Sequence, residues 1–228
     1  MYLKLVSDSW SPELLSVFLT RKLNLDNESS FYNHIRVAPQ NDEFLLEISP
    51  KKQDWLVSTA TVVDGILKLI TSNPKRDSNK LNSFQVKERK REILEIDNTP
   101  LRKFYLENND LFIYKTIVNY FNAVEKEIFV NASITSFIKK TIGIQALFSV
   151  LKTILSENLQ KDKNISEEYF KQIVSSFKHI DFSDNFFTAS GIGKSRIQNT
   201  ILILLNYKGF NEIRKKEEIS DYKRIIGV

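Results

Sequence analysis

The sequence has no cysteine in its 228 residues. Disulfides and thiolate-held metals are thereby excluded, and the chain reads as a protein of a reducing compartment, most simply a cytoplasm. It has only two histidines, His34 and His179, far apart and with no motif around either, so a histidine-based zinc site finds no support. Long apolar runs are missing as well. No stretch reaches the roughly 18–20 uninterrupted apolar residues of a membrane span, so no membrane partner is expected. The opening MYLKLVSDSWSPELL lacks the basic start, apolar middle and small-residue cleavage site of a secretory leader. Neither an internal repeat of fixed period nor a low-complexity segment is visible.

What is present suits a domain with a sizeable core: 42% hydrophobic residues and 27% charged. Lysine and arginine number 33 against 28 acids, a net charge of +5. The summed field of a basic domain attracts polyanions, which makes nucleic acid a candidate partner. The excess is modest, and solvated faces account for many excesses of this size.

Along the chain, helical signals dominate. Ser11 followed by Pro12 marks a helix start, with Leu14, Leu15, Phe18 and Leu19 as an apolar stripe. SFYNHIRVA and DEFLLEIS, separated by PQN, read as a two-stranded hairpin. Leu56, Val63, Leu67 and Ile70 recur at helical spacing around an internal Gly65. Pro74 stops that pattern and opens the most polar stretch, a surface loop leading into a charged helix or a partly mobile arm. TPLRKFYLENNDLFIYKTIVNYFNAVEKEIF is one long helix or two broken at Asn108–Asn109. Phe137, Ile144, Phe148, Leu151 and Leu155 keep register in the most regular stretch, and Ser166 with Glu167 and Glu168 caps the next helix. The expected fold is mainly α, a multi-helix bundle-like domain with a small β-hairpin near the N-terminus. It divides into 1–73, a charged connector 74–98, and a helical bundle 99–228, or forms one continuous domain.

FFTASGIGKSRIQNTILILLNY, residues 186–207, looks most like chemistry. A phosphate-binding P-loop needs glycine, four residues, then Gly-Lys-Ser/Thr, so that backbone N–H groups wrap the phosphates. Aligned on Gly193-Lys194-Ser195, the first glycine becomes Thr188, no Val/Ile/Leu strand precedes it, and ILILLNY offers no metal-binding acid. A nucleotide-hydrolysing loop is therefore rejected. Two readings of the turn remain open. In the first, Ser190, Gly191, Gly193, Lys194, Ser195 and Arg196 form an anion site at a helix start. In the second, Ser190 or Ser195 caps the helix and the glycines supply the turn.

A metal-dependent nuclease using Asp26, Glu43 or Glu47 is a remote third possibility. In EFLLEISPKK, Ser49 stands where such a core needs its lysine, and Pro50 comes before Lys51. No catalytic residue is singled out and no cofactor is expected. The basic clusters are Lys75-Arg76, the group Lys87, Arg89, Lys90 and Arg91, Lys139-Lys140, and Arg214-Lys215-Lys216. Adjacent cations can neutralise adjacent phosphates. Glu88 and Glu92, and Glu217 and Glu218 after the last cluster, also fit salt-bridged solvent faces.

The phrases TRKLNLDNESSFYNHIRV, VVDGILKLITSNPKRD, KKTIGIQALFSVL and FFTASGIGKSRIQNTILILL resemble the C-terminal helical portion of DGQHR-domain proteins. This ParB-related family includes DndB of DNA phosphorothioation systems and DpdB of deazaguanine DNA-modification systems. The namesake Asp-Gly-Gln-His-Arg motif is absent, since Asp64-Gly65 is followed by Ile66-Leu67. The resemblance implies a prokaryotic DNA-modification or phage-defence setting, with DNA or a ParB-like protein as partner. It transfers no catalytic role to any residue here. The leading expectation is a non-catalytic DNA-associated accessory domain binding phosphates through the Gly-rich helix start and the Lys87–Arg91 cluster. The alternative is a helical scaffold that docks a partner protein.

Overall fold

The computed structural model describes residues 10–36, 55–83, 90–159 and 164–228. Helix α1, Pro12–Leu25, starts where Ser11 accepts a hydrogen bond from the Leu14 N–H, with proline in the first turn where its missing N–H costs nothing. Leu15, Leu19 and Leu23 are buried, while Leu14 stays half exposed. Strand β1, Ile35–Arg36, pairs in parallel with β2, Val57–Ser58. The β element expected near the N-terminus is thus present, but in parallel pairing. DEFLLEIS, the other expected strand, lies outside the described residues.

Helix α2, Thr59–Ile70, follows directly from β2 and is capped by Ser58. Its buried face is Val62, Gly65, Ile66, Leu69 and Ile70. The expected stripe shares only Ile70 with this face, because Val63 and Leu67 lie half-buried on the flank and Leu56 precedes the helix. The cause is Gly65. A Cβ there would fall 2.4 Å from Cδ2 of Phe148, so the bare backbone gives the ring its seat. Helix α2 stops at Ile70, with Thr71 extended as its C-cap, before Pro74 is reached, so the proline begins a helix rather than ending one. With Asn73 accepting from the Arg76 N–H, it opens α3, Pro74–Leu81, so the polar stretch begins as a helix and not as a loop.

Helix α4, Arg102–Leu106, is separated from α5, Asp110–Val124, by Asn108 in the left-handed region, φ 57°, and by Asn109, which caps α5. The Asn-Asn break is therefore real. Helix α6, Thr141–Asn158, buries Ile144, Phe148, Leu151 and Leu155 as expected, whereas Phe137 sits in a short 3₁₀ turn ahead of it. Ser166 caps α7, Glu167–Ser175. Helices α8, Gly191–Leu204, and α9, Ile219–Ile226, complete the set. Helix α6 is central, packing on α8 and α2, while α5 packs on α7 and α1 on α2. One continuous apolar core runs from Leu15 to Tyr222.

Two buried ion pairs brace the segment around α4, one spanning it from Arg91 to Asp110 and one reaching back from Arg102 to Asp77 of α3. Arg91 meets Asp110 at 2.5 and 3.2 Å, and Arg102 meets Asp77 at 2.6 and 3.2 Å. The Tyr105 ring lies between them, 4.3 Å from the Arg91 guanidinium and 5.6 Å from that of Arg102. Its hydroxyl donates to the Trp10 carbonyl. Burial raises the Tyr105 phenol far above its ordinary value, so it stays a neutral donor.

Candidate nucleic-acid interface

The approach to α8 is held by aromatic anchors. Phe187 is fully buried, and Phe186 meets Tyr222 of α9 edge-on at 4.9 Å. Asp184 grips Arg224 of α9 with both carboxylate oxygens, at 2.8 and 3.1 Å. The chain arrives at α8 through turns rather than from a strand.

Ser190 is the N-cap. It is extended, its Oγ accepts from the Gly193 N–H and its carbonyl from the Lys194 N–H. Gly193 has a structural reason. A Cβ there would lie 1.7 Å from the Thr188 carbonyl oxygen, so only glycine lets the turn fold back on the helix. Gly191 has none of this kind, since a Cβ there meets nothing within 4 Å and its φ is unremarkable. The N–H groups of Gly191 and Ile192 have no acceptor within the helix.

Gly191 and Ile192 line a cleft of about 540 Å³ together with Ser195, Arg196, Gln198 and Asn199 of α8. The opposite wall is Lys208, Ile213, Arg214, Lys215, Glu218 and Tyr222. Four cationic side chains thus face one carboxylate. Lys208 donates to Asn199 Oδ1 at 2.8 Å, and Asn199 Nδ2 donates to the Tyr222 hydroxyl at 3.0 Å, which braces the floor. Arg214 and Lys215 are exposed at the rim. Glu218 is drawn in, accepting from Arg196 at 2.9 Å and lying 3.5 Å from Lys215. Burial works to raise its pKa, but the hydrogen bond and charge of Arg196, with Lys215, outweigh it and hold the carboxyl below its ordinary range.

The residues expected to bind anions separate accordingly. Gly191, Ser195 and Arg196 line the cleft, and Ser190 and Gly193 shape its entrance. Arg196 is committed internally: Nη1 donates to the Phe186 carbonyl, Nη2 to Glu218, and the guanidinium lies 4.5 Å from the Phe186 ring. Its Nε is buried with no partner among the described residues. Lys194 is not in the cleft wall. It is half-buried, and desolvation first, then the like charge of Lys68 on α2, lowers its pKa.

The Lys87–Arg91 cluster does not join this site. Lys87 and Arg89 lie outside the described residues. Lys90 is exposed just before a short 3₁₀ turn, and Arg91 is fully buried against Asp110, with Nε, Nη1 and Nη2 all donating inside the fold. Arg91 is therefore corrected from phosphate ligand to core residue. Lys208, Arg214 and Lys215 take the cluster's place. Arg214 and Lys215 were visible as a basic cluster, but the acids behind them suggested self-neutralisation. Lys208 carries no local signal. Of the remote nuclease set, Asp26 accepts a hydrogen bond from the Tyr114 hydroxyl, while Glu43 and Glu47 lie outside the described residues. His34 stacks on Trp55 at 4.2 Å and contacts its carbonyl through Nδ1 at 2.8 Å.

Comparisons with protein-family models, with curated proteins and with solved structures find no match to this chain.

Proposed function

We propose that this chain is a non-catalytic nucleic-acid-associated domain that holds phosphates in the cleft at the start of α8. The observation that carries the reading is the convergence of Arg196, Lys208, Arg214 and Lys215 on one cleft with Gly191 and Ile192, against the single carboxylate of Glu218. Cations around a concave surface focus the field on an incoming phosphate, and free N–H groups at a helix start add directed donors. The resemblance to the helical portion of DGQHR-domain proteins supplies a setting, an accessory role in prokaryotic DNA modification or phage defence with DNA as partner.

The test is DNA binding followed by fluorescence anisotropy across a salt series. Affinity is expected to fall steeply with salt. In Arg214→Ala/Lys215→Ala the slope flattens by roughly two units, about 0.9 for each phosphate that is no longer neutralised. Lys194→Ala, beside Lys68 and off the cleft wall, leaves the slope nearly unchanged. A double variant with the wild-type slope would show that the cleft does not hold the phosphates.

A further inference from the structure

The cleft wall carries more than a phosphate needs. Ile192 is 49% exposed beside the cations, and Ile213 and Tyr222 extend the apolar lining inward. The side chain of Gln198, half-buried in the same wall, makes no hydrogen bond to another described residue, so both its amide donor and its acceptor are available. The volume of 540 Å³ falls in the range of small-ligand pockets, about 300–1,000 Å³. A duplex would rest on the rim with its bases paired and stacked out of reach, and would leave the apolar wall and the Gln198 amide facing water.

Resting on the reading above, we infer that the cleft takes one unpaired nucleotide unit, a phosphate joined to an accessible base, and not the side of a duplex. The phosphate sits against Arg214 and Lys215, the flat face of the base packs on Ile192, and the base edge meets the amide of Gln198. Glutamine suits such an edge because it donates and accepts at once. Unpaired bases are the form in which proteins reach both face and edge. A free mononucleotide and the unpaired end of a strand share this chemistry.

The experiment uses the full chain and an internally labelled oligonucleotide, single-stranded or in a blunt duplex of the same sequence. Deoxyadenosine monophosphate and deoxyadenosine serve as competitors. The single strand is expected to bind roughly tenfold tighter than the duplex, and Gln198→Ala to remove most of that preference while leaving the salt slope unchanged. The thermal midpoint of this variant matches wild type, because the side chain supports no internal hydrogen bond. Competition by the monophosphate and not by the nucleoside identifies a free nucleotide as sufficient. A strand that binds without such competition identifies an unpaired unit held within a strand as the ligand. Equal affinity for single strand and duplex, with Gln198→Ala silent, overturns the inference while nucleic-acid binding stands. Absence of binding by every strand form and by the monophosphate overturns both.

Discussion

Arg91 and Asp110 face each other in a two-pronged ion pair inside the core, Nη1 to Oδ1 at 2.5 Å and Nη2 to Oδ2 at 3.2 Å, with the arginine wholly buried. The guanidinium also donates to the carbonyls of Trp10 and Tyr105, so its fork is filled by acceptors that cannot follow it elsewhere. Removing one partner strands the other charge out of water. Asp110→Ala is expected to cost about 3–5 kcal/mol in chemical denaturation, whereas Arg91→Met/Asp110→Leu costs much less, because it removes both desolvated charges together.

Gly65 and Phe148 give a steric counterpart. Gly65→Ala would push a methyl into a ring whose nearest atoms lie 2.4–2.7 Å from the new carbon. The expected loss is about 1–3 kcal/mol, although alanine is the better helix former. Gly65→Ala/Phe148→Leu should recover part of it. If urea denaturation gave Gly65→Ala wild-type stability, the close seat of the ring would be refuted.

Asp26 and Tyr114 set an acid-side dependence. The Tyr114 hydroxyl donates to Asp26, and although burial opposes it, that bond, the Glu28 N–H and the charge of Lys22 hold the carboxyl below its ordinary 3.8. A depressed folded pKa contributes stability that is complete above 3.8 and is lost as pH falls through the lower folded value. The stability gap between wild type and Tyr114→Phe should therefore be full near neutrality and close in strong acid, as followed by thermal unfolding at stepped pH.

Glu218 limits the charge of the cleft. Glu218→Gln removes the carboxylate beside Arg196 and Lys215, so DNA affinity should rise at low salt and the salt slope steepen by up to about one unit. The same change weakens the anchoring of Arg196, and a lower thermal midpoint should accompany the tighter binding. Unchanged affinity in the anisotropy series would mean that the carboxylate does not compete with the ligand.

Features decided within a few residues were legible in the sequence. Ser11, Ser166 and the Asn108–Asn109 break act through neighbours three or four positions away, and each occurs where its local chemistry places it. Features decided across the chain were not. Gly65 meets Phe148 from far along the chain, and Arg91 looked like one more exposed cation because Asp110 is 19 positions distant. Glu218 reads locally as a neutraliser of the lysines beside it, yet it reaches back 22 positions to Arg196. Gly191 and Gly193 look alike in SGIG, but one stands in open space and the other is forced by the Thr188 carbonyl. The turn was visible, and the wall opposite it was not.

The paired salt links at Arg91–Asp110 and Arg102–Asp77 also bear on how the chain assembles. Each joins a residue of the polar stretch to a helix elsewhere in the fold, and neither side can dock alone without leaving an ion stranded. Residues 74–83 and 90–98, which resemble parts of a spacer by composition, thus each carry one half of a buried pair, and docking either half alone would leave its charge without a partner. A protease cut between Asp77 and Arg91 parts Asp77 from its buried partner Arg102, so the two pieces are expected to stay associated rather than to behave as independently folded halves.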